Sequence, residues 1–334
     1  MADTPQTLSL ITLAQEYRGD IVRQINRRVT LLKLLRIVRG EGKNVAWVAE
    51  GDGQIAENYS EGANTANFGS DEQNPATLNW GLYRAPFHVT KLAMDTAASS
   101  RTPAGNRALL ARNMVNSASK LAETVEQALF TGAGTGTLVA GLDVAIGDDT
   151  NTYAGLDRST ETYWQPHVVD PGSATAISLN QIRTDLGNIG DACGESPDIA
   201  VCPTAVFNQV AGLFDANRRY NVVNTARGKI NLDAGYEGIE VDGCMFVKAY
   251  KATANQIYYL NSDSVHVEVL PDANVPFEIL DAVQADDGFG SVPLDMTFEP
   301  LAKNGPATRG EVLSTVQLKV ERPNTCGVRK NVSA

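Results

Sequence analysis

Residues 44–50 read Asn-Val-Ala-Trp-Val-Ala-Glu, and residues 77–91 read Thr-Leu-Asn-Trp-Gly-Leu-Tyr-Arg-Ala-Pro-Phe-His-Val-Thr-Lys. The first stretch alternates apolar and polar residues, the period of a half-buried strand. The second carries Leu78, Trp80, Leu82, Phe87 and Val89 and is interrupted by Pro86. Between them, residues 51–76 are rich in Gly, Asn, Ala and Ser and poor in large apolar side chains. The pattern predicts a long β-hairpin with a mobile tip. A connection this long inside a compact domain points to a projecting functional element or to disorder.

Charge separates this region from the one before it. From Asn44 to Tyr83 there is no Lys or Arg, and six acids: Glu50, Asp52, Glu57, Glu61, Asp71 and Glu72. From Arg18 to Lys43 there are eight basic residues against Asp20 and Glu41, a net of +6. Leu31, Leu32, Leu34, Leu35, Ile37 and Val38 interleave with those charges. A basic, partly apolar segment suits a membrane surface, a nucleic acid or a partner protein. An ordinary amphipathic element with a solvated basic face fits equally well. Leu8 to Tyr17 has the pattern of a short helix ahead of it.

Beyond the hairpin lies the strongest helical pattern in the chain. Thr102 can cap it and Pro103 suits the first helical position. Apolar residues recur at spacings of three and four from Ala111 to Leu129, and Gly132 stops it. Residues 103–131 would span about 40 Å at the helical rise. Its apolar stripe must be buried, on a sheet. A second compact unit follows: a helix over 179–192, a buried strand over 198–202, a helix from Pro203 to about Phe214, and strands over 239–248 and 256–260. Val265–Leu270 and Thr315–Glu321 then alternate cleanly. Strand–helix alternation followed by antiparallel strands suggests a mixed α/β domain.

Composition limits the function. With 334 residues, 43% hydrophobic and 20% charged, the chain is an ordinary folded protein large enough for two domains. No apolar run is long enough to span a membrane, and the first 30 residues lack a signal peptide's features. The expectation is a protein that stays in the cytosol where it is made. The net charge of −11 disfavours a folded surface that grips duplex DNA. Cys193, Cys202, Cys244 and Cys326 form no Cys-x-x-Cys pair, and His88, His167 and His266 are too few and scattered for a zinc site. Reduced, buried thiols are the expectation.

Catalytic motifs fail on spacing. Gly-x-Ser-x-Gly is absent. Arg39-Gly-Glu-Gly-Lys-Asn44 lacks the first glycine and the hydroxyl of a phosphate-binding loop. Thr131-Gly-Ala-Gly-Thr-Gly136 follows a helix instead of joining a strand to one, so no helix N-terminus faces a pyrophosphate. The adjacent acids Asp148-Asp149 and Asp286-Asp287 read as solvated turns, and His266 as a sheet histidine. Asp157, Arg158, Ser159 and Thr160 read as a turn held by local side chain–backbone bonds. No enzyme and no cofactor are expected.

The order of elements resembles the Hong Kong 97-type major capsid proteins of tailed bacteriophages. Three local strings carry the likeness. Gly155-Leu-Asp-Arg-Ser-Thr160 with Tyr163-Trp164 is similar to a segment that follows the family's spine helix. Tyr258-Tyr-Leu-Asn-Ser-Asp263 with Val265-His-Val-Glu-Val269 resembles its strand pair leaving the axial domain. Gln317-Leu-Lys-Val-Glu-Arg-Pro-Asn324 resembles its closing strand. The resemblance implies an α+β, Hong Kong 97-like capsid fold. Its parts would be an N-terminal arm (1–40), an extended loop (41–92), a peripheral domain (93–160) with the spine helix at 103–131, an axial domain (161–262), and a returning peripheral segment (263–334).

The same resemblance implies hexamers and pentamers of this chain closing an icosahedral head around packaged double-stranded DNA bound without sequence preference. It implies a portal, a scaffold and in some cases a decoration protein as partners, assembly in the host cytoplasm, and no membrane. Because the arm starts almost at once after Met1, the scaffold is expected as a separate protein. Some family members crosslink through a lysine in the extended loop. Here the tip has no lysine, and Lys43 and Lys91 lie at its base, so no such crosslink is expected. The candidate inter-subunit contacts are Arg23, Arg27, Arg28, Arg36 and Arg39 of the arm, Glu50, Glu57, Glu61, Asp71 and Glu72 of the loop, and Arg84 beyond it. Opposite charges on arm and loop should attract between subunits, each exposed pair contributing about 0–1 kcal/mol and weakening in salt. The alternatives are an arm that faces packaged DNA, an encapsulin-like compartment, and an unrelated α/β enzyme.

Overall fold

The computed structural model describes residues 29–51, 56–62, 64, 68–99, 105–215, 239–270, 294, 296–302 and 305–333. The proposed helix at Leu8–Tyr17, the cap at Thr102 and the Asp286-Asp287 turn lie outside them. The chain runs through α1 (Leu31–Leu34), β1 (Arg36–Arg39), β2 (Asn44–Gly51), β3 (Glu72–Asn79), β4 (Gly81–Thr90), α2 (Lys91–Ser99), α3 (Gly105–Thr131), α4 (Leu142–Ala145), β5 (Thr152–Tyr153), β6 (Leu156–Asp157) and β7 (His167–Val169). It continues through α5 (Leu179–Cys193), β8 (Ile199–Cys202), α6 (Thr204–Asp215), β9 (Ile239–Val241), β10 (Cys244–Lys248), β11 (Ile257–Leu260), β12 (Val265–Val269), β13 (Thr297–Leu301), β14 (Ala307–Val320) and β15 (Gly327–Arg329).

Two compact units result. One contains Leu82–Glu126 and Val269–Val316; the other contains Thr30–Gly81, Gln127–Glu268 and Gln317–Ala334. In the first, β4 and β13 both pair with β14, with Thr297 opposite Leu313 and Leu301 opposite Arg309. The backbone N–H of Lys91 donates to Pro306 O at 2.8 Å, tying the start of α2 to the approach to β14. On α3, Val115, Ala118, Leu121 and Ala122 are buried, the three- and four-residue spacing of one helix face.

In the second unit a six-stranded sheet runs β7-β15-β11-β8-β10-β9. It is mixed: β8 and β10 are parallel, β11 is antiparallel to β8, and β15 is parallel to β7. Ala200, Cys202, Cys244, Phe246, Ile257 and Tyr259 form one core with Ile182, Leu186 and Ile189 of α5 and Val206, Phe207 and Val210 of α6. Strand residues of one parity meet both helices, so both helices cover the same face. On the other face Tyr258 meets Phe130 near the end of α3, ring centroids 5.9 Å apart. With both faces covered, β8 and β11 are buried at every position, which explains their unbroken apolar sequences.

Local signals set the boundaries. Ser178 and Gln181 form a capping box at the start of α5, and Gly194 ends it at φ 75°. Asp242 and Gly243, at φ 48° and 86°, make the tight turn between β9 and β10.

Two departures from the sequence reading matter. The stretch predicted as one strand over 77–91 is two strands, β3 and β4, broken at Trp80. The Trp80 ring is buried, and its Nε1 donates to Gly42 O at 3.1 Å. A Cβ on Gly40 would come within 2.4 Å of that ring, so glycine is needed where the chain passes under it. The second departure is β15. This C-terminal strand inserts between β7 and β11, and three residues are too few to show a period.

Candidate functional site: the hairpin and its aromatic root

The hairpin pairs β2 with β3 in strict register, from Asn44 opposite Asn79 to Gly51 opposite Glu72. It is a two-stranded sheet of its own. One face carries Val45, Trp47, Ala49, Ala76 and Leu78; of these all but Trp47 are buried. The other face carries Ala46, Val48, Glu50, Gln73, Pro75 and Thr77, all exposed. Pro75 is tolerated because its nitrogen lies on the edge away from β2. The N–H of Thr77, two residues on, points the same way and donates to Ala154 O at 2.8 Å.

An aromatic cluster receives the inward face. The Trp47 ring lies 6.5 Å from Tyr153 and 6.3 Å from Trp164. Tyr153 and Trp164 stack at 6.2 Å, and Tyr163 meets Trp164 edge-on at 6.4 Å. Nearer the tip, Asn74 Nδ2 donates to Tyr163 Oη at 2.9 Å. Gly51 passes under the same ring, where a Cβ would sit 2.9 Å from Tyr163 Cε1. A two-stranded hairpin is marginal in water by itself; this root supplies the tertiary surface it lacks.

The cluster is braced from behind by a buried guanidinium. Arg158 is fully buried, with Cζ 5.1 Å from the Tyr153 centroid. It donates to Asp148 O at 2.5 Å, to Asn151 Oδ1 at 2.6 Å, to Val144 O at 3.2 Å, and to Ala145 O. Val144 and Ala145 close α4, so the cation sits where orphan carbonyls collect. Burial lowers its pKa to about 10, still charged at neutral pH. Asp157 accepts from Ser159 N at 2.9 Å and Ser159 Oγ at 2.7 Å, and Asp148 accepts from Thr150 N at 2.8 Å. These are turns held by local bonds, as their sequences suggested.

On the other side of Trp47 lies a charge cluster on β12 and the end of β14. Lys319 Nζ is 5.1 Å from the Trp47 centroid, 3.0 Å from Glu321 Oε1 and 3.3 Å from Glu268 Oε1. His266 Nε2 lies 3.4 Å from Glu268 Oε1. The His266 contact, followed by the Lys319 charge, holds the Glu268 carboxyl below its usual range against the opposing effect of burial. His266 is thus engaged within the sheet.

The candidate contact residues divide into three groups. Arg23, Arg27 and Arg28 lie outside the described residues. Arg36 and Arg39 are exposed at the two ends of β1, which pairs with β12 at the edge of its sheet. Glu50, Glu57, Glu61, Asp71 and Glu72 are exposed on the distal half of the hairpin, where Gln73 Nε2 donates to Glu50 Oε1 at 3.2 Å. Arg84 belongs to β4 in the other unit and lies 4.0 Å from Glu311 Oε2. Two features of the hairpin escaped sequence reading. One is the aromatic root, in which Trp47 meets rings more than 100 residues further along the chain. The other is a pair of exposed aromatics near the tip: Tyr59 is 78% and Phe68 84% exposed.

The family model for the SU10 major capsid protein matches residues 57–333, most of the chain. The chain belongs to that family. It is a structural protein of a phage head, and its place is the virion capsid. No protein of curated function matches it. Among solved structures, a subunit in the capsid asymmetric unit of cyanophage A-1(L) superposes with a TM-score of 0.72 at 17% identity, over 95% of this chain and 96% of that one. The capsid of an empty GTA particle gives 0.63 at 13% identity, over 95% and 94%. The SrpI encapsulin of Synechococcus elongatus gives 0.60 at 12% identity, over 100% and 97%. At such identities the likeness is one of fold. The mixed helix-and-sheet architecture is therefore that of phage capsids.

Among the described residues no three or more His, Cys, Asp or Glu converge as metal ligands do. All four cysteines are free, three of them buried. Burial raises Cys202 to about 12 and Cys326 to about 11, leaving both as neutral thiols.

Proposed function

We propose that this chain closes an icosahedral head from hexamers and pentamers, with the hairpin as the contact that crosses from one copy to the next. The observation that carries the reading is the hairpin itself. Its root is locked by an aromatic cluster, while its distal half exposes carboxylates, Tyr59 and Phe68. A solitary chain gains nothing from exposed aromatics beyond the paired strands of a hairpin; a lattice does. In this reading α3 is the spine, residues 161–262 are the axial domain that meets its copies at the capsomer centre, and residues 1–40 are an arm reaching across the lattice. The chain performs no catalysis and is held by non-covalent contacts. A scaffold and a portal guide assembly in the host cytoplasm, and double-stranded DNA fills the shell.

The acidic hairpin and the basic arm attract between subunits. High salt, or replacement of Glu57, Glu61, Asp71 and Glu72 by Gln, therefore slows assembly followed by light scattering. Assembly indifferent to both treatments contradicts this electrostatic part. If salt alters genome retention and leaves shell formation alone, the arm faces DNA instead.

A second reading, a cargo-enclosing compartment, is favoured by the full-length likeness to the SrpI encapsulin. Particles purified from infected cells distinguish them. Genomic DNA inside supports the head; a protein cargo without genome supports the compartment.

A further inference from the structure

A groove of about 410 Å³ lies between β4 and α3, within the first unit. Its apolar wall includes Phe87 and Leu121, and its rim carries Arg84, His88, Asn116 and Lys120. The rim cations are accessible: the Arg84 side chain is 73% exposed and that of Lys120 61%. Alternation along β4 puts Leu82, Arg84 and Pro86 on one exposed face, and Leu82 is 57% exposed. Nothing in the shell reading so far assigns this groove a role.

Its chemistry is mixed. Arg84 already lies 4.0 Å from Glu311, and Lys120 is 2.9 Å from Glu123. The rim is thus only mildly basic, a poor match for a polyanion such as DNA, which calls for concentrated positive charge. The apolar wall asks for a ring or an aliphatic chain. An enclosed apolar cavity of about 150 Å³ already accommodates benzene, so the groove has room for an aromatic side chain.

The hairpin tip has the complementary character. Phe68 is 84% exposed and has no polar atom to gain from water. Asp71 and Glu72 follow it within four residues, and Glu61 is exposed nearby in sequence. An aromatic anchor followed in the chain by carboxylates fits an apolar wall with Arg84 and Lys120 exposed at its rim. We infer that in the assembled shell Phe68 of one copy seats in the β4–α3 groove of a second copy, with Asp71 and Glu72 facing Arg84, His88 and Lys120. The inference rests on the shell reading, and adds to it a receiving surface and an anchor.

A cysteine pair tests it. Phe68→Cys and Ser117→Cys, which lines the groove, are combined in one chain and assembled under mild oxidation. The expected result is a ladder of disulfide-linked chains on a non-reducing gel, absent from either single variant. Intact shells without the ladder overturn the inference. So does a ladder of equal yield when Thr184→Cys on α5 replaces the groove cysteine, or a fast-migrating monomer, which means the tip sits on its own groove. Unmodified protein that forms no shell at all overturns the shell reading instead. Should the cysteine pair block assembly, Phe68→Ala decides. Loss of an anchor raises the threshold concentration for assembly about tenfold or more; an unchanged threshold overturns the inference. Lys120→Glu should raise the threshold too and be partly rescued by Glu72→Lys; no rescue counts against the register.

Discussion

The six-stranded sheet and the β2–β3 hairpin belong to the same unit, yet they use their residues differently. The sheet is buried on both faces and holds its ions inside. Arg329 donates to Asp185 in a bidentate pair at 2.5 and 2.6 Å, and Tyr259 Oη donates to the same carboxylate at 3.2 Å. The hairpin has one buried face and one exposed face, and Glu50 and Glu72 lie exposed at its distal end. The first arrangement makes a stable body. The second makes a surface that is complete only against something else. The contrast predicts that damage to the sheet shows up in folding and damage to the hairpin tip shows up in assembly.

The largest effect should follow from breaking the sheet's buried ion pair. Asp185→Ala leaves the Arg329 charge buried without a partner and should lower unfolding free energy by about 3–5 kcal/mol, measured by denaturant titration of the unassembled chain. A loss under about 1 kcal/mol would mean water reaches Arg329 and the sheet is less closed than described.

Next comes the root. Trp47→Ala removes the ring that meets Tyr153, Trp164 and Lys319. Because Trp47 is half-buried, the loss should be about 2–3 kcal/mol, at or below the lower end of the range for large core aromatics. Hydrogen exchange should rise across residues 44–51 and 72–79 and stay unchanged over 199–202. Equal loosening of both regions would contradict the separation.

A smaller effect is pH-dependent. Glu268 has a folded pKa below its ordinary value of 4.5. Its contribution is therefore full above that value and lost as the pH falls through the lower folded value. Native stability should decline from about pH 5 downward, and Glu268→Gln should flatten that decline. An unaltered acid profile in the variant would remove Glu268 from the account.

The smallest effect on the single chain should come from the tip. Glu57, Glu61, Asp71 and Glu72 replaced by Gln should change chain stability by less than about 0.5 kcal/mol while still slowing assembly.

What could be read from sequence follows the same division. The hairpin's first strand was legible because Asn44–Glu50 alternates, and its charge because the acids are contiguous. Helix α5 was legible as a helix over 179–192, and the structure adds the capping box at Ser178 and the end at Gly194. The root was not, because Trp47, Tyr153 and Trp164 share no local period and meet only in three dimensions. Strand β15 was hidden by its length. The split at Trp80 was hidden because apolar alternation continues through it while the partner strand changes. Arg158 read only as part of a locally bonded turn, since sequence does not show that the carbonyls closing α4 lie beside it.

The most direct test of the central claim is an electron-microscopy reconstruction of the unmodified protein after assembly. The account predicts closed icosahedral shells in which each β2–β3 hairpin lies on a neighbouring copy. Monomers, or shells whose hairpins touch no other chain, would contradict it.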